Sequence, residues 1–470
     1  MQSIAARFLP SVARRVAAAP AVHMPARTLA SLQESLRTTP ETKITTLKNG
    51  LRVASENTGH LSATVGLWID TGSRFETEQN NGVAHFLEHM FFKGTKRRTQ
   101  QGLEAEVESI GASLNAYTSR EQTVYYAKVL NNNVNDAVDL LADILQNSKF
   151  DADAINAERD VILREMQEVS NQREEVLYDH LHSVAYQGYP LGRTILGPTE
   201  NILKLSRDDI TDYVRKHYTA PRIVLAAAGG IDHDVLVKQA EKQFGDLSST
   251  ASNDRSFANR FTGADVRDRN DDIDVGHIAL AIEGVGWAHA DFIPLLVAST
   301  MIGNWNRLIP GKNLASKLTQ RVVAENLANS YQAFNTAYKD TALWGVQFVA
   351  PRDKVEDMTF EVQAELMRLC TSATEAEVAR AKNLLRTSLF LNLDGTTLIA
   401  EEIGRHVLNF GRRIPIAEIN ARIEAVNASV IREVLNKYVY DKCPAVAGIG
   451  AIEGLPDYNR IRGGMSWLRV

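Results

Sequence analysis

A chain of 470 residues exceeds a single ordinary core and predicts two to three domains. With 44% hydrophobic and 23% charged residues, and no apolar run near the roughly 18 residues needed to cross a bilayer, it reads as a globular protein without a transmembrane segment. Its 52 basic and 57 acidic side chains argue against nucleic acid and for cationic partners, and two distant cysteines, Cys370 and Cys443, argue against a disulfide framework or a cysteine zinc site.

The first 33 residues hold Arg7, Arg14, Arg15 and Arg27 and no acid. Ile4, Phe8, Val12 and Val16 recur every four residues, giving a basic amphipathic face interrupted at Pro10. This is the composition of a mitochondrial targeting peptide; a secretory signal needs a continuous apolar run. Without those four arginines the balance becomes 48 basic to 57 acidic, a net charge of −9.

A strand over 63–70 precedes a helix over 82–92 that carries His85, Glu88 and His89. Residues four apart on a helix project from nearly the same face, so the two imidazoles can both reach one Zn²⁺ at about 2.0–2.1 Å. Glu88 sits beside them, offset toward water next to the metal, as a general base should. The competing reading is a half-buried helix with two satisfied histidines, and a catalytic zinc also needs a third protein ligand. Segments 114–118 and 123–128 follow as paired strands.

A helix beginning near Asp153 supplies candidates for that ligand. Glu165 lies 76 residues after His89, and Glu158 stands two helical turns earlier on the same face, placed to orient a ligand. Glu175 and Asp179, at i and i+4 on the expected continuation of this helix, form an acidic pair able to receive a guanidinium. Solvated helix charges are the bland alternative for all four.

The half closes with a helix over 208–217 and a buried strand over 222–229. A polar stretch over 248–274 reads as a linker, so the expected division is 1–33, 34–247, 248–274 and 275–470. The second half repeats the first: strand 277–283, helix 291–302, helix around Arg380–Thr387, helix 429–438, strand 445–450. Where the first half has Glu158 and Glu165, the second has Arg380 and Thr387, and 291–302 contains neither His nor Glu. A duplicated fold with one active half shows this asymmetry. Alternating strands and helices in each half predict an α+β protein of two homologous α/β domains.

His85, Glu88, His89 and Glu165, together with blocks 115–122, 161–169 and 191–202 in order, resemble the inverzincin peptidases of the pitrilysin/insulysin group. The similarity runs from about Ile44 to the C-terminus. It is nearest the branch that holds β-type mitochondrial processing peptidase subunits and first core proteins of respiratory complex III. The resemblance implies one Zn²⁺ held by His85, His89 and Glu165, with Glu88 activating water and Glu158 supporting the site. It also implies an α-type or second-core partner, a matrix location or the matrix face of the inner membrane, and presequence peptides as substrates. These would bind at Glu175 and Asp179 and along the edge strand through Asn115, Ala116 and Tyr117. The rival it implies is a structural core subunit among the other subunits of complex III, to whose first core protein 367–374 and 457–469 are similar. The loop 303–316 looks too short to replace the glycine-rich loop of the α-type partner.

Overall fold

The computed structural model describes residues 40–250, 259–311, 316–391 and 393–466; the expected targeting segment 1–33 lies outside them. Among the described residues, twelve strands form two six-stranded mixed sheets. The first contains β1 (Lys43–Thr46), β2 (Arg52–Asn57), β3 (Ser62–Ile69), β4 (Ser113–Thr118), β5 (Thr123–Leu130) and β6 (Ile223–Gly229), in the order β1-β2-β6-β3-β5-β4. The second contains β7 (Asp265–Arg269), β8 (Val275–Val285), β9 (Asn304–Asn306), β10 (Ser330–Ala337), β11 (Thr341–Pro351) and β12 (Ala445–Gly450), in the order β7-β12-β8-β11-β10-β9.

Without β1 and β9 the two orders coincide strand for strand. A parallel pair (β2 with β6, β7 with β12) is followed by antiparallel partners in the same sequence. The expected duplication is therefore present in topology. β6 and β12 are buried along their whole length, which is why both read as continuous small-apolar runs.

Each sheet packs one face against helices of its own half. Val83–Met90 (α1) lies in the first core with Leu67 and Tyr125. Phe292–Ile302, an apolar helix without charged residues, lies in the second core with Trp344.

The other faces are covered by exchange. Ala152–Ser170 (α2) is followed by Arg173–Ala185 (α3), whose Leu177, Leu181 and Ala185 pack on Ala279, Ala281 and Ala447 of the second sheet. In return Thr396–Phe410 (α4) lays Ile399, Ala400 and Ile403 on Trp68, Val224 and Ala226 of the first sheet. A Cβ at Gly404 would sit 2.2 Å from Trp68 Cδ2, so only glycine permits this approach.

Two expectations are corrected. The stretch 248–274 is not all linker, because β7 pairs in parallel with β12 inside it. Its sequence, Asp-Val-Arg-Asp-Arg, belongs to an exposed edge strand with no alternation to detect. The helix carrying Glu165 does not continue to Glu175 and Asp179. It stops at Ser170, where the Ser170 hydroxyl and the Asn171 amide both donate to the Gln167 carbonyl, and α3 starts anew at Arg173.

The turn between β10 and β11 meets the first half. Arg74 Nη2 donates to Asp340 Oδ2 at 2.6 Å and also pairs with Glu121, while Lys339 Nζ reaches Asp70 Oδ2 at 3.1 Å.

Candidate metal centre

The site begins with how α1 starts. Gly82 precedes it at φ 102°, a left-handed conformation, and any Cβ there would press on Ile202 and the Leu196 carbonyl. The first amides are met by a buried carboxylate: Gly82 N–H donates to Glu76 Oε2 at 2.9 Å and Ala84 N–H to Glu76 Oε1 at 2.7 Å. Asn81 Nδ2 adds a third bond at 2.7 Å. Burial pushes the Glu76 carboxyl up to about 7 against these three donors. Seated this way, α1 projects His85 and His89 toward α2.

Glu165 on α2 lies between the two rings. Its Oε2 is 3.2 Å from His89 Nε2 and its Oε1 is 3.6 Å from His85 Nε2. All three residues offer ligand atoms within 4.8 Å of one another. A tetrahedral cation with bonds of about 2.0–2.1 Å sets its ligands about 3.3–3.4 Å apart, so these residues fit a metal ion of that kind.

Glu158, two turns earlier on α2, accepts a hydrogen bond from His89 Nδ1 at 2.8 Å and an ion pair from Lys93 Nζ at 2.6 Å. Burial works against a charged His89, but the hydrogen bonds to Glu158 and Glu165 outweigh it and raise the ring to about 9. Hydrogen bonds from His85 and His89 hold Glu165 below the usual carboxylate range. Burial raises Glu158, and His89 and Lys93 more than offset this and lower it. The charges that favour a proton on His89 Nε2 favour a metal cation there equally. His85 Nδ1 is buried with no hydrogen-bond partner among the described residues, so that ring meets a polar group through Nε2 and Glu165 while packing holds its other side.

Glu88 is half-buried and faces a cavity of about 450 Å³, walled by Phe92, Leu103, Glu104, Val107 and the edge strand β4 over Leu114, Asn115 and Ala116. Among the described residues β4 pairs on one side only, with β5, so its other edge is free of a strand partner there.

Two profiles fit this chain. Residues 52–199 match the insulinase family, peptidase family M16, and residues 204–385 match the M16 inactive domain. The chain belongs to the M16 peptidases. Its relatives include mitochondrial-processing peptidase subunit beta of Bos taurus, 57% identical over 91% of this chain and 88% of the relative. Cytochrome b-c1 complex subunit 1 of Homo sapiens is 52% identical over 94% of this chain and 93% of its own length. Among solved structures, a chain of "Complex III2 from Candida albicans, Inz-5 bound" is similar with a TM-score of 0.82 at 28% identity, covering 91% of this chain and 100% of that one.

Within this M16 chain the remaining predicted residues fall in different places. Glu175 is exposed near the start of α3. Asp179, one turn on, is not a free acid: Arg120 Nη2 donates to its Oδ1 at 2.6 Å. Strand alternation puts Ala116 on the α1 side of the first sheet and Asn115 and Tyr117 on the other, where the Tyr117 hydroxyl donates to Glu401 of α4. Asn115 and Tyr117 therefore face the site only through backbone.

Sequence reasoning missed Glu76, Lys93 and Arg120. Gly82 before an apolar helix was the one available signal for a capped N-terminus; nothing local marks Glu76 as its cap. The second half meets α1's counterpart differently, with Arg380 Nη2 donating to the Met301 carbonyl where the first half has Glu158 beside His89.

Proposed function

We propose that this chain is the β-type subunit of a zinc metalloendopeptidase that removes targeting presequences from proteins in the mitochondrial matrix, working with an α-type partner. The observation that carries the reading is the convergence of His85, His89 and Glu165 with Glu158 behind His89, in a chain 57% identical to a processing peptidase β-subunit. In this reading 34–247 is the zinc-bearing domain and 275–470 its homologue without donors.

Zinc held by His85, His89 and Glu165 supplies Lewis acidity, polarising the scissile carbonyl and lowering the pKa of nearby water. The protein's own residues do the rest. Glu88, on the cavity side of the same helix, takes the proton from the attacking water and returns it to the leaving amine. Glu158 keeps His89 in the tautomer whose Nε2 lone pair faces the metal. The open edge of β4, through the backbone of Asn115, Ala116 and Tyr117, holds the peptide extended by strand addition, which tolerates many side chains. Phe92, Leu103, Val107 and Leu114 on the wall of the cavity beside Glu88 suit a bulky apolar side chain next to the scissile bond, and Glu175 with the second oxygen of Asp179 suits an arginine.

Purifying the chain with an α-type partner, measuring zinc and assaying an arginine-containing presequence peptide tests this reading. Full cleavage by Glu88→Gln, or zinc-free activity, would sink it.

A second reading, a core subunit of respiratory complex III, is favoured by the near end-to-end likeness to human cytochrome b-c1 complex subunit 1. One chain can serve both roles. Recovery only in haem-containing complexes without zinc would make the core role the sole one.

A further inference from the structure

The reaction proposed for this chain makes no use of Lys93, the third residue after α1. Its Nζ lies 2.6 Å from Glu158 Oε2, while the other oxygen, Oε1, takes the hydrogen bond from His89 Nδ1. An ammonium group thus reaches the second histidine through a single carboxylate. The Lys93 side chain is 25% exposed and that of Glu158 only 6%, so solvent and salt screen this pair far less than a surface ion pair.

The fold holds Lys93 in that position. Its N–H donates to the Met90 carbonyl at 3.2 Å, and the chain then turns at Gly94 with φ 105°. Thr95 bridges to Ser148, and its hydroxyl donates to Oδ2 of the buried Asp143 at 2.7 Å. Arg98 Nη1 donates to the same oxygen at 2.7 Å. The helix Val134–Asn147, which carries Asp143, therefore anchors the turn from which Lys93 reaches back to Glu158.

The second half has lost this cation together with the donors. Its helix Phe292–Ile302 also runs into a glycine of positive φ, Gly303 at 79°, and the residue before that glycine is the buried Ile302. Lys93 stands before Gly94 in the same way. A lysine needed only to finish the helix would have a polar counterpart there.

Charge gives the reason for a cation at this place. Glu88, Glu158 and Glu165 bring three carboxylates to the site, and a dication answers two of them. Among the described residues Lys93 is the one Lys or Arg in an ion pair with any of the three. A carboxylate on the far nitrogen of a metal-bound imidazole makes that ring a stronger donor. Stronger donation tightens metal binding and weakens the Lewis acidity that activates water. A cation on the outer oxygen draws charge away from the carboxylate and opposes this drift.

We infer that Lys93 is a positioning residue for the reaction: it pins the outer oxygen of Glu158, limits the charge that His89 donates, and so keeps the site acidic enough to activate water. Somewhat looser metal binding is the consequence. The inference rests on the metallopeptidase reading for the reaction that Lys93 serves.

The test uses the full chain purified with its α-type partner. In Lys93→Met, zinc affinity, read by competition against a chelator of known affinity, is expected to rise about threefold, while kcat on an arginine-containing presequence peptide falls about tenfold at unchanged KM. Lys93→Gln, which keeps a donor without the charge, should behave alike and serves if the first variant does not fold. Lys93→Arg restores the cation and should recover most of kcat. A merely structural lysine would move affinity and kcat down together. An affinity that falls or stays the same overturns the role, and so does an unchanged kcat where wild type cuts. If Lys93→Met binds zinc more tightly than wild type but neither cuts the peptide, the peptidase reading falls and the influence of Lys93 on the metal stands.

Discussion

Glu158 Oε1 lies 2.8 Å from His89 Nδ1 while its second oxygen holds Lys93 at 2.6 Å, so one carboxylate ties the second histidine of the metal helix to the turn that follows it. His85 has no such partner among the described residues. The two imidazoles are thus held by different means, and they should respond differently to change around them.

Glu158→Gln keeps an acceptor but removes the charge that favours a cation on the ring. Metal affinity should fall about 10–100-fold, as when the residue behind a metal-bound histidine is lost. Competition against a chelator of known affinity measures it. Stripping the metal should abolish cleavage, and added zinc should restore it in wild type at lower concentration than in the variant.

Glu88→Gln should leave bound metal unchanged and reduce kcat by about 10²–10⁴, the contribution of a positioned general base. Metal analysis alongside single-turnover cleavage separates this from loss of the ion. A variant that loses its metal instead would assign Glu88 to the ligand set.

Glu76→Ala should destabilise the fold by about 2–4 kcal/mol, because Asn81 and the Gly82 and Ala84 amides lose a buried acceptor together. Urea denaturation reads the change, and Glu76→Gln should recover part of it.

Glu175→Gln should raise KM for an arginine-containing substrate more than for its norleucine analogue, by a few-fold given the exposure of the group. Asp179→Asn should act differently: it keeps an acceptor but removes the charge opposite buried Arg120, so stability falls as well as affinity. A parallel comparison of KM and denaturation midpoint distinguishes the two acids.

His406 on α4 is pushed down to about 4, first by burial and then by the charges of Arg405 and Arg412. A histidine whose folded pKa lies below its unfolded value near 6.5 contributes stability that is full above pH 6.5 and is lost as pH falls toward 4. Between pH 7 and 4.5 wild type should lose about 2–3 kcal/mol more than His406→Gln. Denaturation midpoints of both proteins at the two pH values check this.

The candidate metal centre was largely legible in the sequence, because helix geometry converts spacing into position. His85 and His89 share a face by the i, i+4 rule, and Glu158 and Glu165 share one by two full turns. The loss of both acids at Arg380 and Thr387 pointed to the same pair. Strands buried on both sides, such as β6 and β12, were readable as apolar runs.

Side chains that act across long separations were not readable. Arg120 neutralises Asp179 from 59 residues away, and Glu76 caps a helix that starts beyond a loop. β7 escaped notice because an exposed edge strand buries no alternating face, and the end of α2 at Ser170 depends on local polar bonds that compete with helix continuation.

What the sequence determined by itself, then, is which candidate donors exist, on which helices they lie and in which half, and the fold brings His85, His89 and Glu165 together. Only the tertiary structure decided how the halves depend on each other. α3 and α4 are each encoded in one half and buried against the other's sheet, an exchange that no local periodicity can encode because an amphipathic helix specifies an apolar partner but not whose.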